Sequence, residues 1–129
     1  MGIHFFETDQ DQLQPRENVR IKEVTITPYP DRFRVHVEIK VTPFRERPNL
    51  VIVVRDEQDR VVSELDVIAT MHSTMEFTIH LRYVDNPAGT YSLSVDLFYE
   101  SKHPPHDRWV GGFVIPDNDE RRVDTQFEP

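Results

Sequence analysis

The chain has 129 residues, of which 37% are hydrophobic and 29% are charged, and it contains no cysteine. This composition is typical of one soluble globular domain, and it excludes disulfides and thiolate metal ligands. No apolar run approaches the roughly 20 residues that a membrane-spanning helix needs, and the start of the chain lacks the features of a secretory signal. We therefore expect a cytoplasmic protein without membrane contact.

The net charge is −8 at pH 7, because 23 acidic residues outnumber 15 basic ones. Such an excess disfavours binding to nucleic acid or to an anionic membrane surface. Most of it lies at the ends, where residues 1–17 and 117–129 each carry a net charge of −3. We predict a polar acidic tail at 1–17, one β domain at 18–116 and a second acidic tail at 117–129, with both tails serving solubility.

The clearest pattern is a strict alternation of apolar and polar residues over Phe33–Thr42. A period of two over ten residues is typical of a strand with one face on a core and one in water, and it excludes an amphipathic helix. Prolines fall between such segments and mark strand ends, because proline cannot donate to the ladder. The sequence therefore predicts an all-β, antiparallel two-sheet sandwich of about seven strands: Val19–Thr27, Phe33–Thr42, Leu50–Asp56, Val61–Val67, Thr74–Tyr83, Thr90–Glu100 and Arg108–Ile115.

The first predicted strand changes phase, because Val19 and Ile21 share one parity whereas Val24 and Ile26 share the other. This change predicts a bulge, or an edge strand that crosses between the sheets.

The third predicted strand is apolar on both parities over Leu50–Val54. Such a strand needs cover on both faces, and a two-layer sandwich covers only one of them. We therefore expect a tail or another protein chain on its outer side. In the last strand, Gly111 and Gly112 predict a bulge or the close approach of another backbone.

Residues 61–71 fit both a helical stripe and a strand. The β-branched residues and the polar turn at Asp56–Asp59 favour a strand that forms a hairpin with the third.

The segment Asp85–Val95 places a Pro/Gly turn before a tyrosine-containing strand. It resembles the start of the penultimate strand in immunoglobulin-like and fibronectin type III-like sandwiches, where a tyrosine hydroxyl bonds back to upstream backbone. The resemblance implies that role for Tyr91. Leu93 stands where true immunoglobulin domains carry a cysteine, and Trp109 lies in the last strand rather than the third. The resemblance is to a fold group, so it implies no particular family and no binding residues.

Four histidines are candidate metal ligands. His36 and His80 occupy outward positions on strands that neighbour each other in the immunoglobulin-like order, and His103 and His106 share a loop. Imidazole suits zinc, nickel or copper, but a site needs three or four convergent ligands. A solvated sheet face and a plain polar loop are the alternatives, and we predict no cofactor. The acidic run 117–120 lacks the pattern of a calcium loop and is predicted to be tail.

Four apolar or aromatic residues are candidates for contacting a partner, namely Val51, Val53, Phe98 and Trp109. If Trp109, Phe98 and Tyr29 were exposed and coplanar, they could instead stack on sugar rings. The alternative is that Phe98 packs under a tail and Trp109 faces the core.

Catalysis has little support, because the sequence contains no Gly-x-Ser-x-Gly elbow, no glycine-rich phosphate loop and no His-Glu-x-x-His motif. The sequence predicts a non-catalytic interaction or structural domain that binds a protein, either a partner or a second copy of itself as a homodimer, through an exposed strand. The alternatives are a carbohydrate-binding module and an accessory domain that binds a divalent metal.

Overall fold

The computed structural model describes residues 12–82 and 84–117. A short 3-10 helix, Arg16–Asn18, precedes seven strands. Within the described ranges, no helix is long and apolar enough to cross a membrane. The strands are β1 Ile21–Pro28, β2 Arg34–Val41, β3 Asn49–Arg55, β4 Val61–Val67, β5 Thr74–His80, β6 Gly89–Phe98 and β7 Asp107–Ile115.

Two antiparallel sheets form the domain. The small sheet has the order β1-β2-β5, and the large sheet has the order β4-β3-β6-β7. The predicted sandwich is therefore confirmed, and each of the seven predicted strands is present. Residues 61–67 form the strand rather than the helix, because they pair with β3 as a hairpin.

The core lies between the sheets and is built from the inward positions of the alternating strands. On β2, for example, Val35, Val37 and Ile39 are fully buried. The facing layer comes from Leu50, Ile52 and Val54 on β3 and from alternate residues of β6. Burial of these aliphatic side chains is what the period of two specified, since one parity of each strand points inward.

β1 contains the predicted irregularity. Its pairing with β2 shifts register between Ile21 and Glu23, which is where the apolar parity changes. The start of β1 also reaches the large sheet, because the backbone N–H of Ile21 donates to Asp107 Oδ2 at 2.8 Å.

The tyrosine predicted from the fold-group resemblance occupies the expected position near the start of β6. Tyr91 Oη donates to the carbonyl oxygen of Pro87 at 2.7 Å, and the ring stacks on Phe113. Burial raises the pKa of the Tyr91 hydroxyl, with the nearby charges of Asp56 and Glu57 acting in the same direction. The resemblance to immunoglobulin-like and fibronectin type III-like sandwiches is thus confirmed at the level of architecture.

Part of the segment predicted as an N-terminal tail contacts the domain. Gln14 bridges Phe44, while Arg16 binds Glu46 and Glu100 and lies over the ring of Tyr99. Residues 1–11 and 118–129 lie outside the described residues, as does Tyr83, the predicted end of the fifth strand.

Candidate functional site

The outer face of the large sheet forms a groove with a volume of about 370 Å³. All four strands of the sheet contribute outward side chains, and the β6–β7 loop closes one end. We call this surface the outer groove. Its lining residues are Val51, Val53, Arg55, Glu64, Ser92, Ser94, Asp96, Lys102, His103, Arg108 and Val110.

An apolar strip crosses the outer groove from its middle strand to its edge. Val53 lies opposite Ser94 on β6, and Ser94 lies opposite Val110 on β7, so the two valines flank a small serine. Val51 is 8% exposed, whereas Val110 and Val114 are 61% and 62% exposed. We call these four valines, at positions 51, 53, 110 and 114, the valine strip.

A buried carboxylate organises one end of the outer groove. Asp96 accepts hydrogen bonds from Arg108 Nε at 2.7 Å and from Arg108 Nη2 at 2.9 Å. This bidentate pairing raises the pKa of Arg108 and fixes its guanidinium beside Val51 and Val110. The Arg108 guanidinium is therefore held in one position next to the valine strip.

The β6–β7 loop supplies part of the cover that the doubly apolar third strand requires. Lys102 Nζ lies 5.9 Å from the centre of the Phe98 ring and 4.0 Å from Asp66 Oδ2. Phe98 is consequently only 7% exposed. Among the described residues, this loop covers one end of the outer side of the large sheet, while Val110 and Val114 are more than half exposed.

The aromatic residues do not form one surface. Phe98 is buried on the outer side of the large sheet, while Trp109 packs against the core from the opposite side. Tyr29 belongs to the small sheet, where Arg34 lies 4.4 Å from its ring centre. Of the two alternatives for these residues, the structure has the buried one: Phe98 lies under Lys102 and Trp109 packs on the core. The coplanar arrangement that sugar stacking requires is therefore not formed by Phe98, Trp109 and Tyr29.

Both glycines of β7 have local explanations. A Cβ on Gly111 would collide with the indole of Trp109, and one on Gly112 would lie 3.3 Å from the carbonyl oxygen of Tyr91. The close backbone approach predicted for this strand therefore comes from β6 of the same chain. The predicted bulge is absent from this described strand, since β7 pairs with β6 without a register shift.

His36 and His80 lie on the same outward face of neighbouring strands, as predicted. They are not directly opposite each other but two positions apart along the ladder. His36 lies opposite Thr78, and His80 lies opposite Arg34. The Nε2 atom of His36 is 2.9 Å from Glu76 Oε1.

His103 and His106 serve different surroundings. His103 lines the outer groove, whereas His106 Nε2 lies 3.1 Å from the carbonyl oxygen of Val19 and 2.9 Å from Arg20 Nη1. Across residues 12–82 and 84–117, no three His, Asp or Glu side chains are placed to hold a metal ion together. Metal binding at the four histidines stays a prediction without a converging ligand set.

Sequence reasoning missed Val110, Val114, Arg108 and Asp96 as parts of this surface. β7 is apolar on both parities, with Val110 and Val114 outward and Trp109 inward, which is the same signal that singled out β3. The prediction for β7 rested on its two glycines and did not use that pattern.

Comparisons with known proteins identify the fold but no family. No family model and no curated protein matches the sequence. Among solved structures, β-glucuronidase of Bifidobacterium dentium, complexed with coumarin-3-O-glucuronide, matches with a TM-score of 0.57 and 15% identity over 75% of this chain. A glycosyl hydrolase family 2 member from Bacteroides cellulosilyticus gives 0.54 and 14% over 75%. β-Glucuronidase from Ruminococcus gnavus, in complex with D-glucuronic acid, gives 0.52 and 13% over 76%.

The matched part is a small share of those enzymes. This chain covers 18%, 15% and 16% of the three chains, respectively. At such low identity the likeness concerns the fold alone, so catalytic residues and substrates are not transferred. The finding is that this β-sandwich resembles one portion of much longer glycoside hydrolases.

Proposed function

We propose that this chain is a non-catalytic protein-interaction domain that binds its partner, including a second copy of itself, through the outer face of the large sheet. The observation that carries the proposal is the valine strip, whose members on β3 and β7 flank Ser94 of β6 and have charged side chains beside them. Apolar centres with polar rims are typical of protein interfaces. A solvated sheet face would instead carry polar residues at these positions.

The structural likeness supports a modular role. In the matched enzymes a sandwich of this shape accounts for less than a fifth of the chain. An accessory domain of this kind works by contacting other domains, which requires a surface such as the valine strip.

The size of the surface sets the expected affinity. Four strands about 4.8 Å apart and about seven residues long present roughly 400 Å². A stable complex usually buries about 800 Å² on each partner. We therefore expect weak, reversible self-association, with a Kd of tens to hundreds of micromolar, when this face acts alone.

Sedimentation velocity over a concentration series tests the proposal, from about 10 µM to about 1 mM so that the expected Kd is bracketed. The wild-type mass should rise with concentration. Val53→Lys places a charge on the floor of the outer groove and should weaken the association, with Val110→Lys as a second variant at a solvent-exposed position. Met71→Lys adds the same charge at an exposed apolar residue that does not line the groove, and it should behave as wild type.

A wild type that stays monomeric throughout would contradict self-association. Equal association of wild type, Val53→Lys and Val110→Lys would contradict the assignment to this face. Thermal melts of each variant at low concentration distinguish lost association from lost folding.

A further inference from the structure

Sheet edges expose unpaired backbone donors and acceptors, which other chains can pair with unless the edge is blunted. In the described part of the chain, the small sheet ends at β1 and β5 and the large sheet ends at β4 and β7. These four edges differ in how far they are protected.

Three of the edges carry devices that oppose pairing. β1 has the register shift after Ile21 and ends at Pro28. β4 presents Glu64 and Asp66 outward and is irregular where Val61 meets β3. β5 is seven residues long, and its outward residues are polar: Thr74, Glu76, Thr78 and His80.

β7 has none of these devices beyond its first residues. It pairs with β6 over nine residues without a register shift, and it contains no proline. After Arg108 its outward positions are Val110, Gly112 and Val114, and both valines are more than half exposed. β7 is therefore a regular, uncharged and apolar edge.

We propose that β7 pairs antiparallel with β7 of a second copy about a two-fold axis at Gly112, joining two four-stranded sheets into one of eight strands. This inference rests on the proposed self-association and assigns its contact to the β7 edge. Val53 lies on β3, two strands from that edge, so Val53→Lys should weaken a β7-paired dimer less than Val110→Lys. A two-fold interface uses the same patch twice. Val110 of each copy then lies opposite Val114 of the other, and the two outer grooves form one continuous surface.

The side chains select this register over its neighbours. Directly opposed residues have Cβ atoms about 4.5–5.5 Å apart, so two valines there form a favourable pair. With the axis at Gly111, Val110 would face Gly112 and Val114 would face Arg108. The axis at Gly112 forms both valine pairs.

The ends of β7 limit the pairing to the same stretch. At one end, Asp107 accepts the hydrogen bond from the backbone of Ile21, which ties the strand start to β1. At the other end Pro116 has no N–H to donate, so the ladder stops there. The open length between them, residues 108–115, is centred between Gly111 and Gly112, so it allows the axis at Gly112 and the valine pairs decide the register.

A charge exchange tests the register. In Val110→Lys the lysine faces Val114 of the second copy, and in Val114→Glu the glutamate faces Val110. Each single variant should weaken the dimer about tenfold or more, because an unpaired charge enters an apolar contact. The double variant Val110→Lys/Val114→Glu places opposite charges face to face and should restore the Kd to within about threefold of wild type. The control Val110→Lys/Val61→Glu should not restore it.

Cysteine cross-linking gives a second readout, because the chain has no native cysteine. An oxidised equimolar mixture of Val110→Cys and Val114→Cys should form a covalent dimer of one copy of each. Either variant alone should not, since the two copies of position 110 lie four residues apart along the ladder, about 13 Å.

The outcomes separate this inference from the function it rests on. A wild-type monomer at every concentration, as when another segment of the chain covers β7, overturns both. If wild type self-associates and Val53→Lys disrupts it, while the mixture fails to cross-link and the charges fail to rescue, only the β7 pairing is overturned. Cross-linking of Val110→Cys with itself overturns the register.

Discussion

The two outer faces of the sandwich are built from the same alternating pattern but differ in what they present to water. On the small sheet, polar partners satisfy one another, as in His36 with Glu76 at 2.9 Å and Lys40 with Glu23 at 3.7 Å. On the large sheet, the valine strip occupies the corresponding outward positions, and its charged residues stand at the rim. The outer face of the small sheet carries polar residues that pair with one another, whereas the outer face of the large sheet exposes Val110 and Val114 to solvent.

The difference shows where function can reside in a fold whose core is generic. Both sheets contribute aliphatic side chains to the interior, and Val110 and Val114 are not among them. Outward valines on an edge strand add little to the monomer, and the proposed function assigns them to a contact outside it.

The largest loss of stability should come from adding a methyl group at Gly111, an inward position of β7. In Gly111→Ala the new Cβ would lie 2.8 Å from Cζ2 of Trp109 and closer still to Cη2, so the indole must move. We expect a loss of about 1–3 kcal/mol. Val110→Ala and Val114→Ala, on the outward side of the same strand, should change monomer stability by less than about 0.5 kcal/mol.

Urea unfolding at low protein concentration, followed by the fluorescence of Trp109, measures all three variants. Equal costs for Gly111→Ala and Val110→Ala would show that the outward valines support the monomer, and the contrast between the faces would be lost.

A pair of tyrosines gives an intermediate effect. Tyr91→Phe removes the buried hydrogen bond to Pro87 and leaves that carbonyl without its partner, which should cost about 1 kcal/mol. Tyr29→Phe on the small sheet removes only an exposed contact of 3.5 Å to Thr78, so the expected cost is under about 0.5 kcal/mol. Chemical denaturation compares them, and a cost for Tyr29→Phe as large as that for Tyr91→Phe would break the distinction.

The smallest expected effect on stability comes from two aspartates, one in a turn of each sheet, and it should be similar for both. Hydrogen bonding from Arg34 lowers the pKa of Asp31 in the β1–β2 turn, and the backbone N–H of Arg60 lowers that of Asp56 in the β3–β4 turn. A lowered pKa stabilises the fold above the ordinary aspartate pKa of about 3.9, and this stabilisation is lost as the pH falls through the folded-state value.

Melting temperatures of Asp31→Asn and Asp56→Asn measured from about pH 7 to about pH 2 test this expectation. Each variant should melt a few degrees below wild type near neutrality, and the gap should close below about pH 4. A gap that widens in acid would reverse the assigned sign.

The sequence was sufficient for the fold because local patterns agreed with the tertiary structure. Alternation located β2, β5 and β6, prolines and turns bounded the other strands, the parity change located the bulge after Ile21, and the turn before Tyr91 located the hydrogen bond to Pro87. These features depend on neighbours in the chain, which makes them readable from one sequence.

The candidate site was less readable because it depends on which strands become neighbours. The double apolar pattern of β3 correctly marked Val51 and Val53 as requiring cover. However, the side chains that complete the surface come from β7 and from the β6–β7 loop, and their proximity to β3 follows from the sheet order. Parity alone did not decide between exposure and burial for Phe98 and Trp109; in the structure Lys102 lies over Phe98 and Trp109 packs on the core.

The most direct test of the account follows backbone amide resonances in ¹H–¹⁵N spectra while the protein concentration is raised. We predict shifts and broadening in β3, β6, β7 and the β6–β7 loop, with β1, β2 and β5 unchanged. Resonances that move on the small sheet instead, or that stay constant everywhere at millimolar concentration, would contradict the claim that the outer face of the large sheet is where this domain binds.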